Sequence, residues 1–283
     1  MQAIQTPGIV ASVIIPAHNE AASIAACIES LCLTRMSNTV EVIVAANGCT
    51  DETARIARSF EYVRVLEIAE PSKANALREA DRIASAHSRI YLDGDITLGA
   101  GTLASILGAI TTSVPVIVAP VPHYDCSEAS SIVCDYYAIK ERLPSTARGT
   151  VGRGVFGVSA SGRRRFGQFE DFTADDLFAA SFFGADEVVT CSGFSVVKVP
   201  KTLTSLLRVR SRIARGNREL RATIGSHQEE TVSPDLKVEL VEVLRREPHL
   251  LRAAAAFVLV SVLARLSARF SRDTWGRDAS SRT

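Results

Sequence analysis

At 283 residues the chain can bury a substantial core, and its length suits one large domain or two abutting halves. Thirty-two basic residues against 31 acidic ones leave a formal charge of +1, which excludes an overall electrostatic case for nucleic acid, so any basic partner site must be local. The six cysteines (Cys27, Cys32, Cys49, Cys126, Cys134, Cys191) form no Cys-x-x-Cys pair, and no charged then apolar leader follows Met1, which reads as reduced thiols in a cytosolic protein.

Through the first 120 residues, short β-rich runs alternate with helix-period segments, the pattern of βαβ units in a mostly parallel sheet. Strands are expected at Ala11–Pro16, Val40–Ala45, Val63–Ile68, Arg89–Leu92 and Val116–Ala119. Between the first two, Ile24, Cys27, Ile28 and Leu31 mark one buried helix face, with Asn19 as a candidate cap. Thr50, Asp51 and Glu52 read as the start of the second helix, since acids in a first turn favour the helix dipole. In such sheets ligands bind outside the carboxyl ends of the strands, where the polar loops Pro16–Glu20, Ala46–Asp51 and Asp93–Asp95 all fall.

From about Pro120 the alternation stops. A Gly- and Arg-rich stretch from Arg148 to Arg165 leads into Phe169-Glu170-Asp171-Phe172-Thr173-Ala174-Asp175-Asp176-Leu177, read as a second half facing the first. A helix is expected to begin near Ser233-Pro234-Asp235, because serine caps and proline suits the first helical position. The longest uncharged apolar stretch, Ala253–Leu263, falls short of the roughly 20 residues a spanning helix needs. With Arg252, Arg265 and Arg269 around it, the segment 250–270 reads either as an interfacial helix on a membrane surface or as packing on the body. Beyond Ala268 the composition reads as a disordered tail.

Leu92-Asp93-Gly94-Asp95 is the most informative run. Two carboxylates one residue apart at a strand end repel each other unless a cation sits between them, and Mg²⁺ or Mn²⁺ completes a one- or two-carboxylate site with water and phosphate oxygens. A polar turn is the plain alternative.

Four segments in order, Ser12-Val13-Ile14-Ile15-Pro16-Ala17-His18-Asn19-Glu20, Ala46-Asn47-Gly48-Cys49-Thr50-Asp51, Lys73-Ala74-Asn75-Ala76-Leu77 and Asp93-Gly94-Asp95, together resemble glycosyltransferase family 2. The resemblance covers the first hundred residues well and the next hundred loosely. It implies an α/β fold of GT-A type: a mostly parallel nucleotide-binding sheet flanked by helices, an abutting acceptor-binding half and a helical C-terminal extension. The corresponding division is a nucleotide-sugar half at 1–120, an acceptor half at 121–222 and the extension, with its tail, at 223–283.

The implied activity is transfer of a sugar from a nucleoside diphosphate donor, a UDP-sugar, to a carbohydrate or lipid-linked acceptor, with inversion and dependence on Mg²⁺ or Mn²⁺. By resemblance, Pro16, Asn19 and Glu20 border the nucleotide, Asp95 with Asp93 takes the metal, and Asp93 lies nearer the ribose or a metal-bound water. Asn47 stands where relatives carry an acid for the uracil N3–H; its carboxamide offers an acceptor and a donor, and an Asn-Gly turn is an equal alternative. Lys73 and Asn75 lie at a helix start, where an ammonium and backbone N–H groups can meet phosphate. Of the pair Asp175 and Asp176, the second matches the family's base, which takes the acceptor proton; two acids in a helical first turn are the structural alternative.

Val209-Arg210-Ser211-Arg212-Ile213-Ala214-Arg215-Gly216 is similar to the Gln-Arg-x-Arg-Trp segment of processive members, but valine replaces the glutamine and isoleucine the tryptophan, which implies non-processive transfer. Arg212 and Arg215 are candidates to touch the leaving diphosphate. Gly152-Arg153-Gly154-Val155-Phe156-Gly157 fits a dinucleotide fingerprint but lacks a following helix, so it is read as a floor on the acceptor side. Arg163-Arg164-Arg165 reads as an anionic-acceptor clamp or as surface charge, and the five histidines lack metal-ligand spacing. A nucleotidyltransferase and a catalytically silent nucleotide-sugar-binding partner are the rival readings; the first lacks its Gly-rich basic loop after the first strand.

Overall fold

The computed structural model describes residues 8–33, 39–147, 151–171, 174–224 and 236–270. The expected alternation is present: β1 (Ala11–Ala17), α1 (Ile24–Ser30), β2 (Val40–Asn47), α2 (Thr53–Arg58), β3 (Val63–Ile68), α3 (Lys73–Ile83) and β4 (Ser88–Leu92). β1 pairs in parallel with β2 and β4, and β2 with β3, so these four strands end on one edge. Pro16 removes one ladder donor without ending its strand, and the pairing continues to Ala17 opposite Ala46.

The chain continues through β5 (Ile96–Leu98), α4 (Thr102–Ile110), β6 (Ile117–Asp125), α5 (Ser131–Arg142), α6 (Pro144–Ala147), β7 (Val155–Val158), α7 (Ala160–Arg163) and α8 (Asp175–Ala180). It closes with β8 (Val188–Lys198), α9 (Leu203–Ile224), α10 (Leu236–Arg246) and α11 (Leu251–Phe270). Among the described residues eight strands make one sheet of order β3-β2-β1-β4-β7-β6-β8-β5. β7 runs antiparallel between β4 and β6, and β5 antiparallel along β8. The sheet therefore continues across residue 120, and the insertion of β7 beside β4 carries the glycine loop before it to the Asp93 edge.

Alternating strand residues are buried on opposite faces, as a sheet covered on both sides requires. Val13, Ile15, Val44, Ile90 and Leu92 pack with Ile24, Ile28 and Ile106, while Ile14, Ile43 and Tyr91 pack with Leu77, Phe169 and Phe178. Each such side chain contributes about 1.5–3 kcal/mol on burial. Within the second layer a charge cluster is sealed. The Asp81 carboxylate accepts from Arg89 Nε at 2.9 Å, from Arg163 Nη2 at 2.9 Å and from the Tyr91 hydroxyl at 3.0 Å. Arg163 is thus neither surface charge nor a free clamp, and Arg165 pairs with Glu187 at 2.5 Å.

A third core joins α5, α9, α10 and α11 through Tyr136, Ile139, Leu206, Val243, Phe257 and Val260. α11 buries one face there and exposes Leu251, Val258, Leu259, Val262 and Leu266 on the other. By length and composition the stretch Pro248–Ser267 suffices to cross a membrane. Counting only uncharged residues undersized it, because Arg252 and Arg265 lie towards its two ends. The expected helix start at Ser233-Pro234-Asp235, residues Phe172 and Thr173, and the tail beyond Phe270 lie outside the described residues.

Candidate active site

The first two loops at the strand ends are stitched together. His18 Nδ1 lies 2.6 Å from the Asn47 carbonyl oxygen, the Thr50 N–H donates to Asn19 Oδ1 at 2.8 Å, and the Ala21 N–H donates to Asp51 Oδ2 at 3.0 Å. Asn19 holds a left-handed φ of 54°. It therefore bridges to the second loop rather than capping α1, which begins after Ser23. Asp51 likewise precedes α2 and accepts from the Thr53 N–H at 3.0 Å, so the second helix starts later than its acids suggest.

Asn47 is fully buried, with Nδ2 donating to the Ala17 carbonyl at 2.8 Å, while its Oδ1 has no hydrogen-bond partner. Gly48 follows at φ 57°, and an added Cβ there would lie 2.6 Å from Pro71 Cβ. Pro16 is buried within β1 and Glu20 is 3% exposed, its N–H donating to Thr53 Oγ1 at 2.8 Å.

Gly94 brings the acidic turn down onto this platform: a Cβ there would lie 3.3 Å from Glu20 Cγ. Asp93 is anchored by its N–H donating to the Gly154 carbonyl at 2.8 Å, and Asp95 is exposed. Burial, then Asp95, Asp93 and Glu20 in that order, raise the nearby Cys27 thiol well above its ordinary value, so three carboxylates converge on this turn. Among the described residues no three His, Cys, Asp or Glu side chains form a metal cluster. A divalent ion on Asp93 and Asp95 would draw its remaining ligands from water and phosphate, the habit of Mg²⁺ and Mn²⁺, so the donor set fits.

Lys73 begins α3 behind the Ser72 cap, whose Oγ accepts from the Asn75 N–H at 3.2 Å. Its half-buried ammonium is paired rather than free. Nζ stands 2.7 Å from Asp93 Oδ1 and 3.0 Å from Asp175 Oδ1. Burial alone would lower this lysine, but Asp175, Asp93 and Asp176 outweigh it and hold the proton on. Asp175 is nearly sealed, whereas Asp176, half-buried, accepts from the Leu177 N–H at 2.7 Å. Burial first and then neighbouring Asp175 push the Asp176 carboxyl up to about 6.

The glycine loop closes the other side. Gly152, at φ 119°, would place a Cβ 3.7 Å from Asp176 Oδ2, and Gly154, at φ 80°, would place one 3.2 Å from Asp93 Oδ2. β7 follows this loop where a dinucleotide fingerprint needs a helix. Asp93, Lys73, Asp175, Asp176 and residues 152–154 thus meet at one end of the sheet. Arg212 and Arg215 lie half-buried along α9, with Arg215 Nε 3.9 Å from Glu219 Oε1.

A family model described as Glycosyl transferase family 2 matches residues 12–165, which is more than half of the chain and includes β1, Lys73, the acidic turn and the glycine loop. The chain belongs to glycosyl transferase family 2. It is a glycosyltransferase of GT-A fold, as the four sequence segments led us to expect. Among solved structures, the mannosyltransferase PcManGT from Pyrobaculum calidifontis, in complex with GDP-Man and Mn²⁺, is 21% identical with TM-score 0.59, over 94% of this chain and 77% of that one. Glucosyl-3-phosphoglycerate synthase from Mycobacterium tuberculosis, in complex with Mn²⁺, UDP and glucosyl-3-phosphoglycerate, is 20% identical with TM-score 0.51, over 73% of this chain and 78% of that one. S. aureus TarS residues 1–349 are 14% identical with TM-score 0.50, over 92% and 91% of the two chains. At these identities the likeness is one of fold. No curated protein matches the chain.

What sequence reading missed is the partnership of the glycosyltransferase's Lys73 with Asp175 and the contact of the glycine loop with Asp93. The signal available for the loop was its three glycines, two of which hold left-handed φ values.

Proposed function

We propose that the chain transfers single sugars from a nucleoside diphosphate donor, a UDP-sugar, to an acceptor hydroxyl with inversion at the anomeric carbon. One observation carries this reading: Lys73 ties Asp93, at the diphosphate end, to Asp175 beside Asp176. An inverting displacement needs both ends at once, charge stabilisation of the departing diphosphate and a carboxylate opposite it to receive the acceptor proton. Asp176, raised towards neutrality, takes that proton on its carboxylate. Lys73 holds Asp175 and Asp93 in place and keeps a positive charge beside the leaving group.

Mg²⁺ or Mn²⁺ on Asp95 and Asp93 supplies Lewis-acid stabilisation to the leaving diphosphate when bound. PcManGT with GDP-Man and the synthase with UDP both carry Mn²⁺, which supports a metal in this fold. Asn19, Glu20 and Pro16 border the nucleotide. The buried, unpartnered acceptor Asn47 Oδ1 is the group assigned to a base N–H such as uracil N3–H. Asn75, Arg212 and Arg215 complete the phosphate side.

Val209 and Ile213, in place of glutamine and tryptophan, support single-residue transfer. The acceptor, a carbohydrate or a lipid-linked one, enters over residues 121–222, while the exposed apolar face of α11 rests on a membrane surface at the inner face.

Thermal shift of the full chain against UDP- and GDP-sugars, with Mn²⁺ or with EDTA, tests the donor. UDP-sugars should raise Tm only with metal. Stabilisation by ATP or CTP and by no sugar nucleotide would favour a nucleotidyltransferase, and donor binding without turnover on any acceptor would favour a silent partner.

A further inference from the structure

Behind the glycine loop lies a cavity of about 190 Å³ whose wall includes Lys140, Arg153, Arg210, Ser145, Thr146 and Ser261. Arg153 sits between Gly152 and Gly154, so this cavity begins one residue from the backbone that anchors Asp93. It draws on α5, α6, α9 and α11, and none of the wall residues named is among those assigned to the donor.

Its charge is unbalanced. Lys140 is 8% exposed, and among the described residues neither Lys140, Arg153 nor Arg210 is in an ion pair with a carboxylate. What faces them is aromatic and hydroxylic. Lys140 Nζ lies 5.1 Å from the Tyr124 ring centroid and 5.4 Å from that of Tyr137, Arg210 stands over Tyr136 at 5.8 Å, and Arg153 Nη2 donates to Thr146 Oγ1 at 3.4 Å. The buried carboxylate at the margin, Glu239, is engaged with Ser145, accepting from its N–H and its hydroxyl at 2.7 Å each.

Beside Lys140, outside the cavity wall itself, the Tyr124 hydroxyl is also buried with no hydrogen-bond partner. Buried donors and cations are rarely left uncompensated, because removing them from water is costly unless a counter-charge or an acceptor replaces it. Consistently, burial and then Arg153 and Arg210 hold the Lys140 ammonium well below the ordinary lysine value. An oxyanion in the cavity would supply the missing counter-charge to Lys140, Arg153 and Arg210 together, with guanidinium forks matched to its oxygens.

We propose that this cavity binds a phosphate-type oxyanion carried by the acceptor and thereby sets the acceptor hydroxyl at Asp176. The inference rests on the glycosyltransferase reading above and names the acceptor class for the same site: an alcohol bearing a phosphate. The anion could instead come from the donor's diphosphate, so the test must separate the two sources.

Inorganic phosphate is the first probe, titrated into the full chain and followed by Tm, for wild type, Lys140→Met, Arg210→Gln and Asp95→Asn. Phosphate should stabilise wild type and Asp95→Asn alike, without Mn²⁺, and bind at least about tenfold more weakly to Lys140→Met and Arg210→Gln, the loss of one charge-assisted bond. Lys140→Met should also be the more stable protein without phosphate, since it removes an uncompensated buried cation. Lys140→Met therefore keeps the test decisive where Arg210→Gln fails to fold. Unaltered phosphate binding in both cavity variants, or binding that needs Mn²⁺ and vanishes in Asp95→Asn, overturns the proposal and assigns the anion to the donor side.

The second arm compares one alcohol with its phosphate monoester as acceptor, reading release of nucleoside diphosphate. The monoester should have a KM at least about tenfold lower, an advantage lost in Arg210→Gln with kcat little changed. Equal KM values for the pair in wild type overturn it. Failure of the donor reading appears separately, as absence of Mn²⁺-dependent nucleotide binding while phosphate still titrates the cavity.

Discussion

Asp93 and Asp175 share one cation: Lys73 Nζ lies 2.7 Å from an oxygen of the first and 3.0 Å from an oxygen of the second. Strand β4 and helix α8 are thereby held at a fixed separation, and the acidic turn is locked to the acid pair. Lys73→Met leaves Asp93, Asp175 and Asp176 facing one another without a counter-charge. We expect kcat/KM for nucleotide-sugar turnover to fall by about 10²–10³, the cost of removing a preorganised charge from a developing anion. Steady-state release of nucleoside diphosphate measures it.

Asp176→Asn removes the proton acceptor and little else, since the Leu177 N–H can still donate to the amide oxygen. Turnover with a true acceptor should drop by about 10²–10⁴ while donor affinity, read by calorimetry, stays within a factor of two or so. Unchanged turnover would assign the base elsewhere.

The pH profile follows from the sign of the Asp176 shift. A base raised to about 6 is protonated and idle below that pH, so kcat/KM should rise as pH increases through about 6 and level off above it. Lys73 favours the charged form, so Lys73→Met should move the limb to higher pH, whereas Asp175→Asn removes a repelling charge and should move it lower.

Chelation by EDTA should abolish donor-dependent stabilisation, and restoring Mn²⁺ should recover it in wild type but not in Asp95→Ala. Each tenfold change in donor affinity corresponds to about 1.4 kcal/mol, which differential scanning calorimetry resolves.

The Asp81 cluster predicts a purely structural variant. Asp81→Ala strands Arg89, whose side chain is 8% exposed, and Arg163. Breaking a buried pair from one side costs about 3–5 kcal/mol. Urea unfolding should show that loss.

The first half was legible because its signals are local. β-rich runs such as Val40-Glu41-Val42-Ile43-Val44 declare strands whatever surrounds them, and the change to polar residues at His18, Asn47 and Asp93 marks the edge where strands end. β3 agrees with its expected bounds residue for residue. Helix starts were less legible, because Asn19 and Asp51 spend their side chains on a neighbouring loop, a choice that depends on which loops are adjacent.

The sequence by itself determined the fold family, the sheet edge and the acids Asp93, Asp95, Asp175 and Asp176, because short motifs and period-2 burial are written into consecutive residues. Only the tertiary structure decided what those acids face. Inserting β7 between β4 and β6 carries Gly152, Arg153 and Gly154 to the acidic turn, and the packing of α3 on the sheet aims Lys73 at Asp175. Arg163 and Lys140 make the same point in opposite directions: one basic residue in an arginine run is neutralised inside the core by Asp81, while a single lysine on α5 is buried among arginines. Charge in a sequence has a sign but no partner, and its partner is set by long-range packing.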